Sequence, residues 1–121
     1  MKIYVNKVIN EVVYGSTCFG NINVIWDGSK PDVGKIYYVE LDIDGVYVWG
    51  EDITISNKNA SIMSNDEFTS INGIFESIDD DGYAVLRMDD YIIPFLSKGN
   101  SFEIGSKINI HVKLMSAYPI D

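Results

Sequence analysis

The chain has 121 residues, 18 acidic against 9 basic, a net charge of −9 and a single cysteine. That length fits one domain, 1–121, able to bury roughly two-thirds of its unfolded surface without a disulfide, which Cys18 alone cannot form within the chain. The negative field argues against phosphate backbones and anionic lipid surfaces as partners and favours cationic ones.

One cysteine fits a reducing compartment. No apolar run approaches the roughly 20 residues of a membrane span. The opening Met1-Lys2-Ile3-Tyr4 alternates like a strand and lacks the basic and apolar regions of a secretion signal. The expected location is the cytoplasm, with no membrane contact.

β-branched and aromatic residues recur in short runs. Strands are expected at 2–9, 11–14, 20–26, 36–43, 46–50, 72–78, 83–88, 91–96 and 107–115. Turn residues separate them: Gly15-Ser16, Asp27-Gly28, Asp44-Gly45, Asp81-Gly82, Asp89-Asp90 and Lys98-Gly99-Asn100. The Ser- and Asn-rich segment 56–70 reads as a connector, with a short helix expected over 60–68. Pro119 argues that pairing stops at the C-terminal end of the last strand. The fold class is all-β, a compact antiparallel sandwich or barrel.

The chain also resembles itself. A shift of 71 residues lays Gly28 on Gly99 and Gly34 on Gly105. It also lays Ile22, Val24 and Val33 on Ile93, Phe95 and Ile104, and Tyr37, Val39, Leu41 and Ile43 on Ile108, Ile110, Val112 and Leu114. Strand side chains alternate between faces, so matched phase implies matched burial. Two related β units, 1–55 and 71–121, would then pack around the connector.

The segment 39–52, Val-Glu-Leu-Asp-Ile-Asp-Gly-Val-Tyr-Val-Trp-Gly-Glu-Asp, reads as a hairpin about Asp44-Gly45. One face holds Val39, Leu41, Ile43, Val46 and Val48. The other pairs Asp42 with Tyr47 and Glu40 with Trp49. Carboxylates orient Arg or Lys, and Tyr and Trp are typical interface anchors. The same rings would equally serve as a second core layer beneath the connector. Asp79-Asp80-Asp81 and Asp89-Asp90 sit at hairpin ends and read as a negative rim beside that face, or as solvated turns. Their spacing lacks the alternating ligands of a calcium loop.

Nothing in the sequence assembles a catalytic set. His111 alternates with Ile110 and Val112 and reads as a solvent-facing strand residue. Cys18 lies in a glycine-flanked loop with no nucleophile signature, and no phosphate-binding glycine motif is present. No cofactor or metal is expected. Glu76 and Arg87 should face each other across the hairpin closed by Asp81-Gly82.

Gly73-Ile74-Phe75-Glu76-Ser77-Ile78 followed by Gly82-Tyr83-Ala84-Val85-Leu86 resembles the opening hairpin of an OB-type barrel. That resemblance implies aromatics stacking on single-stranded nucleic acid. The whole chain, small, acidic and without a catalytic set, resembles in character the immunity proteins of bacterial toxin systems. That resemblance implies a cytoplasmic inhibitor that covers a cognate toxin and is not an enzyme.

The expected function is therefore immunity-type binding of a basic protein partner through Glu40, Asp42, Tyr47 and Trp49, with Asp79, Asp80, Asp81, Asp89 and Asp90 as a steering rim. The alternative is an OB-like nucleic-acid module, against which the scattered basic residues count. A small-ligand barrel using buried tyrosines comes third. An unpaired edge strand would permit a homodimer.

Overall fold

A computed structural model describes residues 1–120. Every regular element among them is a strand. In chain order these are β1 (Lys2–Ile9), β2 (Val12–Thr17), β3 (Gly20–Trp26), β4 (Ile36–Asp44), β5 (Val46–Val48), β6 (Ile53–Ile55), β7 (Ser61–Ser64), β8 (Thr69–Ile78), β9 (Tyr83–Met88), β10 (Tyr91–Lys98), β11 (Lys107–Val112) and β12 (Leu114–Pro119). No helix is long and apolar enough to cross a membrane.

The first sheet closes into a barrel in the order β1-β2-β3-β12-β4, with β4 returning to β1. The second runs β5-β10-β9-β8-β11-β6, with β7 added on β8. A parallel bridge between Trp49 and Ile53 brings its two ends almost together.

The two sheets follow one plan. At a shift of 71, β2 falls on β9 and β3 on β10, and the pair Tyr14↔Asn23 becomes Val85↔Pro94. At a shift of 70, β1 falls on β8, so that Tyr4↔Ser16 becomes Ile74↔Arg87 and Ile3↔Tyr37 becomes Gly73↔Ile108. The one-residue difference is absorbed in the β8–β9 turn. Both first strands carry a register shift at the same place, between Val5 and Lys7 and between Phe75 and Ser77.

Gly34 and Gly105, matched in the sequence, do the same work. Each has positive φ, +89° and +96°. Gly34 N donates to Val5 O at 2.8 Å and Gly105 N to Phe75 O at 2.8 Å. Burial follows the repeat at Ile22 and Ile93, Val24 and Phe95, Val39 and Ile110, and Leu41 and Val112. It weakens at Tyr37, half-buried where Ile108 is fully buried, and fails at the last pair, where Ile43 is buried and Leu114 exposed.

The halves exchange strands. β5 follows β4 in sequence but pairs in parallel with β10 of the second sheet. β12 follows β11 but pairs in parallel with β3 and antiparallel with β4 of the first. Gly45, at φ +100°, carries the chain out of β4 and across to β10. One apolar cluster consequently runs through both halves.

This exchange corrects the expected hairpin. β4 and β5 do not pair, and Tyr47 and Trp49 are buried, at 2% and 7% exposure. The Trp49 ring lies 4.7 Å from that of Phe75, 5.0 Å from Phe102 and 6.1 Å from Phe95. Its Nε1 is left without a partner, at a cost of roughly 1–3 kcal/mol. Burying about 200 Å² of ring contributes roughly 5 kcal/mol and wins.

Other expectations change as well. Gly15-Ser16, expected as a turn, lies within β2, and the strand expected over 107–115 breaks at Lys113 into β11 and β12, which join different sheets. The helix over 60–68 is absent; β7 lies there instead and pairs Ile62 with Ile71. β6 was not expected either. Pro119 does not end the pairing: it lies opposite Val39, and Ile120 N donates to Tyr38 O at 2.8 Å.

Candidate functional site

The alternation of β4 places Val39, Leu41 and Ile43 in the core, while Tyr38, Glu40 and Asp44 are exposed and Asp42 is half-buried. β12 supplies their neighbours. Tyr118 lies directly opposite Glu40, Ser116 opposite Asp42 and Leu114 opposite Asp44. On the other edge of β4, Tyr38 faces Lys2 and Ile36 faces Tyr4. An acidic face with rings beside it therefore exists, and its carboxylates include the expected Glu40 and Asp42. Its rings are Tyr38 and Tyr118, in place of Tyr47 and Trp49.

Buried Ser116 fixes one end of this row, its Oγ donating to Asp44 Oδ2 at 3.2 Å. Desolvation pushes the Tyr118 hydroxyl above its ordinary pKa, and the charges of Asp42, Asp27 and Asp44 push it further the same way. Tyr47 is raised too, first by burial, and its hydroxyl donates to Asp44 O at 2.6 Å.

Beside this face a cleft of about 710 Å³ opens between β4 and β10. Val39 to Asp42 form one wall, Asp90 to Pro94 the other, and Met1, Tyr118 and Ile120 complete it. Among the described residues, Glu40, Asp42 and Asp90 are the carboxylates that line it, and no Lys or Arg side chain does. The Met1 ammonium, donating to Val39 O at 2.9 Å, is held below its ordinary pKa by burial.

The rim divides. Asp90 reaches the cleft, and Asp89 precedes it in a left-handed turn at φ +53°. Asp79, Asp80 and Asp81 stand at the opposite end of the six-residue β9, about 17–20 Å away along the strand. Asp79 is a turn-former: its Oδ1 accepts from Asp81 N at 2.9 Å and Tyr83 N at 3.0 Å. These three residues do not belong to the face.

Tyr38 was legible in the alternation of β4, although the expected hairpin drew attention to other rings. Tyr118 and Tyr91 gave no local signal, because the β12–β4 pairing and the cleft join segments far apart in sequence.

Elsewhere, His111 is exposed and stacks on Phe68 at 4.1 Å. Cys18 is exposed. Glu76 and Arg87 form the expected ion pair. Among the described residues no group of three or more His, Cys, Asp and Glu is placed to hold a metal ion. No family model, curated protein or solved structure matches the chain.

Proposed function

We propose that the protein is a small acidic binding protein of the immunity type, which blocks a basic protein partner such as a toxin. The contact surface is the outer face of β4 and β12 together with the cleft beside it. The observation that carries this reading is the gathering of Glu40, Asp42 and Asp90 around an apolar cleft with Tyr91 and Tyr118 and, among the described residues, no lining Lys or Arg. A concave surface richer in carboxylates than in cations speeds encounter with a cation, and tyrosines supply contact area at low entropic cost.

The test is capture of the partner from the native host, followed by binding and inhibition measurements with wild type and Glu40→Lys/Asp42→Lys. The captured protein should be basic. Charge reversal should weaken binding by about 2–5 kcal/mol and flatten its salt dependence. An acidic partner, or a double variant that binds and inhibits as wild type does, rejects the reading.

A second reading, an OB-like module for single-stranded nucleic acid, is favoured by one feature. Tyr83, on the β8–β9 hairpin that carries the resemblance, is exposed and free to stack on a base, although Phe75 of the same hairpin is fully buried against Trp49. The net charge of −9 opposes it. Salt-sensitive binding of an oligodeoxythymidine probe would select it over the first.

A further inference from the structure

Resting on the reading of a basic partner, we propose that the cleft between β4 and β10 admits a projecting loop of that partner, led by long cationic side chains, and refuses an added strand. The internal repeat supplies the argument. In the first half, the edge of β3 not paired with β2 is shared: β12 pairs with its C-terminal end at Ile25 and Trp26, as β5 does with Leu96 to Lys98 of β10, and β7 covers its N-terminal stretch. Ile62 N donates to Phe19 O at 2.9 Å, and Asn23 N donates to Ser64 Oγ at 3.0 Å. Gly20 makes the approach possible, since a Cβ there would lie 2.0 Å from Ile62 O.

A shift of 71 carries Phe19, Gly20 and Asn23 onto Asp90, Tyr91 and Pro94, and a shift of 70 carries Met1 onto Ile71, the residue Ile62 pairs with. Met1, Asp90, Tyr91 and Pro94 all line the cleft. The cleft is thus the counterpart of the place β7 takes in the other half.

Two replacements remove what a strand would use there. Tyr91 puts a side chain where the equivalent glycine lets a carbonyl approach. Ser97 N donates to Gly82 O across the β9–β10 pair, so by alternation the position of Pro94 faces the open edge, where proline has no N–H to give. Proline on an exposed edge is a known block to strand pairing. What the cleft offers instead is side-chain recognition. Its apolar walls suit the aliphatic stem of Arg or Lys, its carboxylates suit the charged head, and Tyr91 and Tyr118 suit contact with a cation.

The experiment follows backbone amide shifts of the isotope-labelled full chain with two synthetic probes. One is a backbone-cyclised peptide displaying an Arg-Lys turn, and the other is a linear Lys-Ile-Arg-Ile-Lys peptide able to pair as a strand. The cyclic peptide should shift Asp42, Asp90, Tyr91 and Tyr118 saturably, and should do so equally when its own amides are N-methylated. Its affinity should fall about tenfold in Asp90→Lys, an exposed position where folding is retained, and again in Asp42→Lys.

Protection of β10 amides by the linear peptide overturns the proposal in favour of strand addition. Concentration-dependent shifts of the cleft without peptide overturn it in favour of a second copy. No cleft response at millimolar cyclic peptide also overturns it. A response confined to Ile36 and Tyr38, on the outer face but outside the cleft, defeats the cleft and leaves the basic partner standing. Equal shifts from a peptide with Glu in place of Arg and Lys defeat both.

Discussion

The first half of the molecule covers the N-terminal stretch of the outer edge of its third strand with β7, and the second half leaves the matching stretch of β10 facing an acid-lined cleft, while β12 and β5 take the remainder of each edge. The two halves share ladder registers, loop bonds and a register shift in their first strands, so the difference is not one of scaffold. It lies in a few positions: Gly20 against Tyr91, Asn23 against Pro94, and Phe19 against Asp90. The first set of residues lets a strand approach and bond. The second set prevents pairing and adds charge. A repeated unit can thus fill one copy of a groove with its own chain and leave the other open.

The exchange of β5 and β12 ties the halves together, and removing Trp49 tests that tie. Trp49→Ala should cost about 3–5 kcal/mol, because a first-half residue fills the second sheet's aromatic cluster. Urea unfolding should remain one transition with a lower midpoint and an unchanged slope. Two separated transitions would show that the halves fold independently in spite of the exchange.

The groove comparison sharpens with a matched pair of variants. Ile62→Ala removes a buried side chain beneath β7 and should cost about 2–4 kcal/mol. Ile92→Ala, on the exposed wall of the other groove, should change stability by no more than about 0.5 kcal/mol. Equal costs by denaturation would mean that the second groove is also a packed structural element.

The smallest effect is electrostatic. Tyr118 should titrate above the ordinary tyrosine value, and Asp42→Asn should move it back toward that value, read from tyrosinate absorbance. The native state holds this proton more tightly than the unfolded chain. The contribution of Tyr118 to stability is therefore complete below its unfolded pKa and is lost as pH rises through its folded one. A Tyr118 titration unmoved by Asp42→Asn would place that carboxylate outside the field of the face.

Much of this plan could be read before the coordinates. The alternation of β4 correctly sent Val39, Leu41 and Ile43 inward, and Gly34 and Gly105 matched as loop residues. What escaped was set by distant pairing. Gly45 has the positive φ of a hairpin residue, yet nothing local distinguishes a turn back onto β4 from a crossing to β10. Once the chain crosses, the phase inverts, so Val46 is exposed and Tyr47 and Trp49 are buried. β6 and β7 are three and four residues long; β7 lies in a polar connector and is held by contacts to β3 and β8 and not by propensity. Pro119 lacks an N–H to give the ladder, yet as the last residue of β12 it stays paired opposite Val39.

Hydrogen exchange across the full chain, with and without the captured partner, compares the two grooves in one measurement. Slowed exchange confined to 39–42, 90–94 and 118–120, with 20–24 and 61–65 unaffected, is the predicted result. Slowed exchange over β2, β3 and β7 with the cleft unchanged would contradict the account.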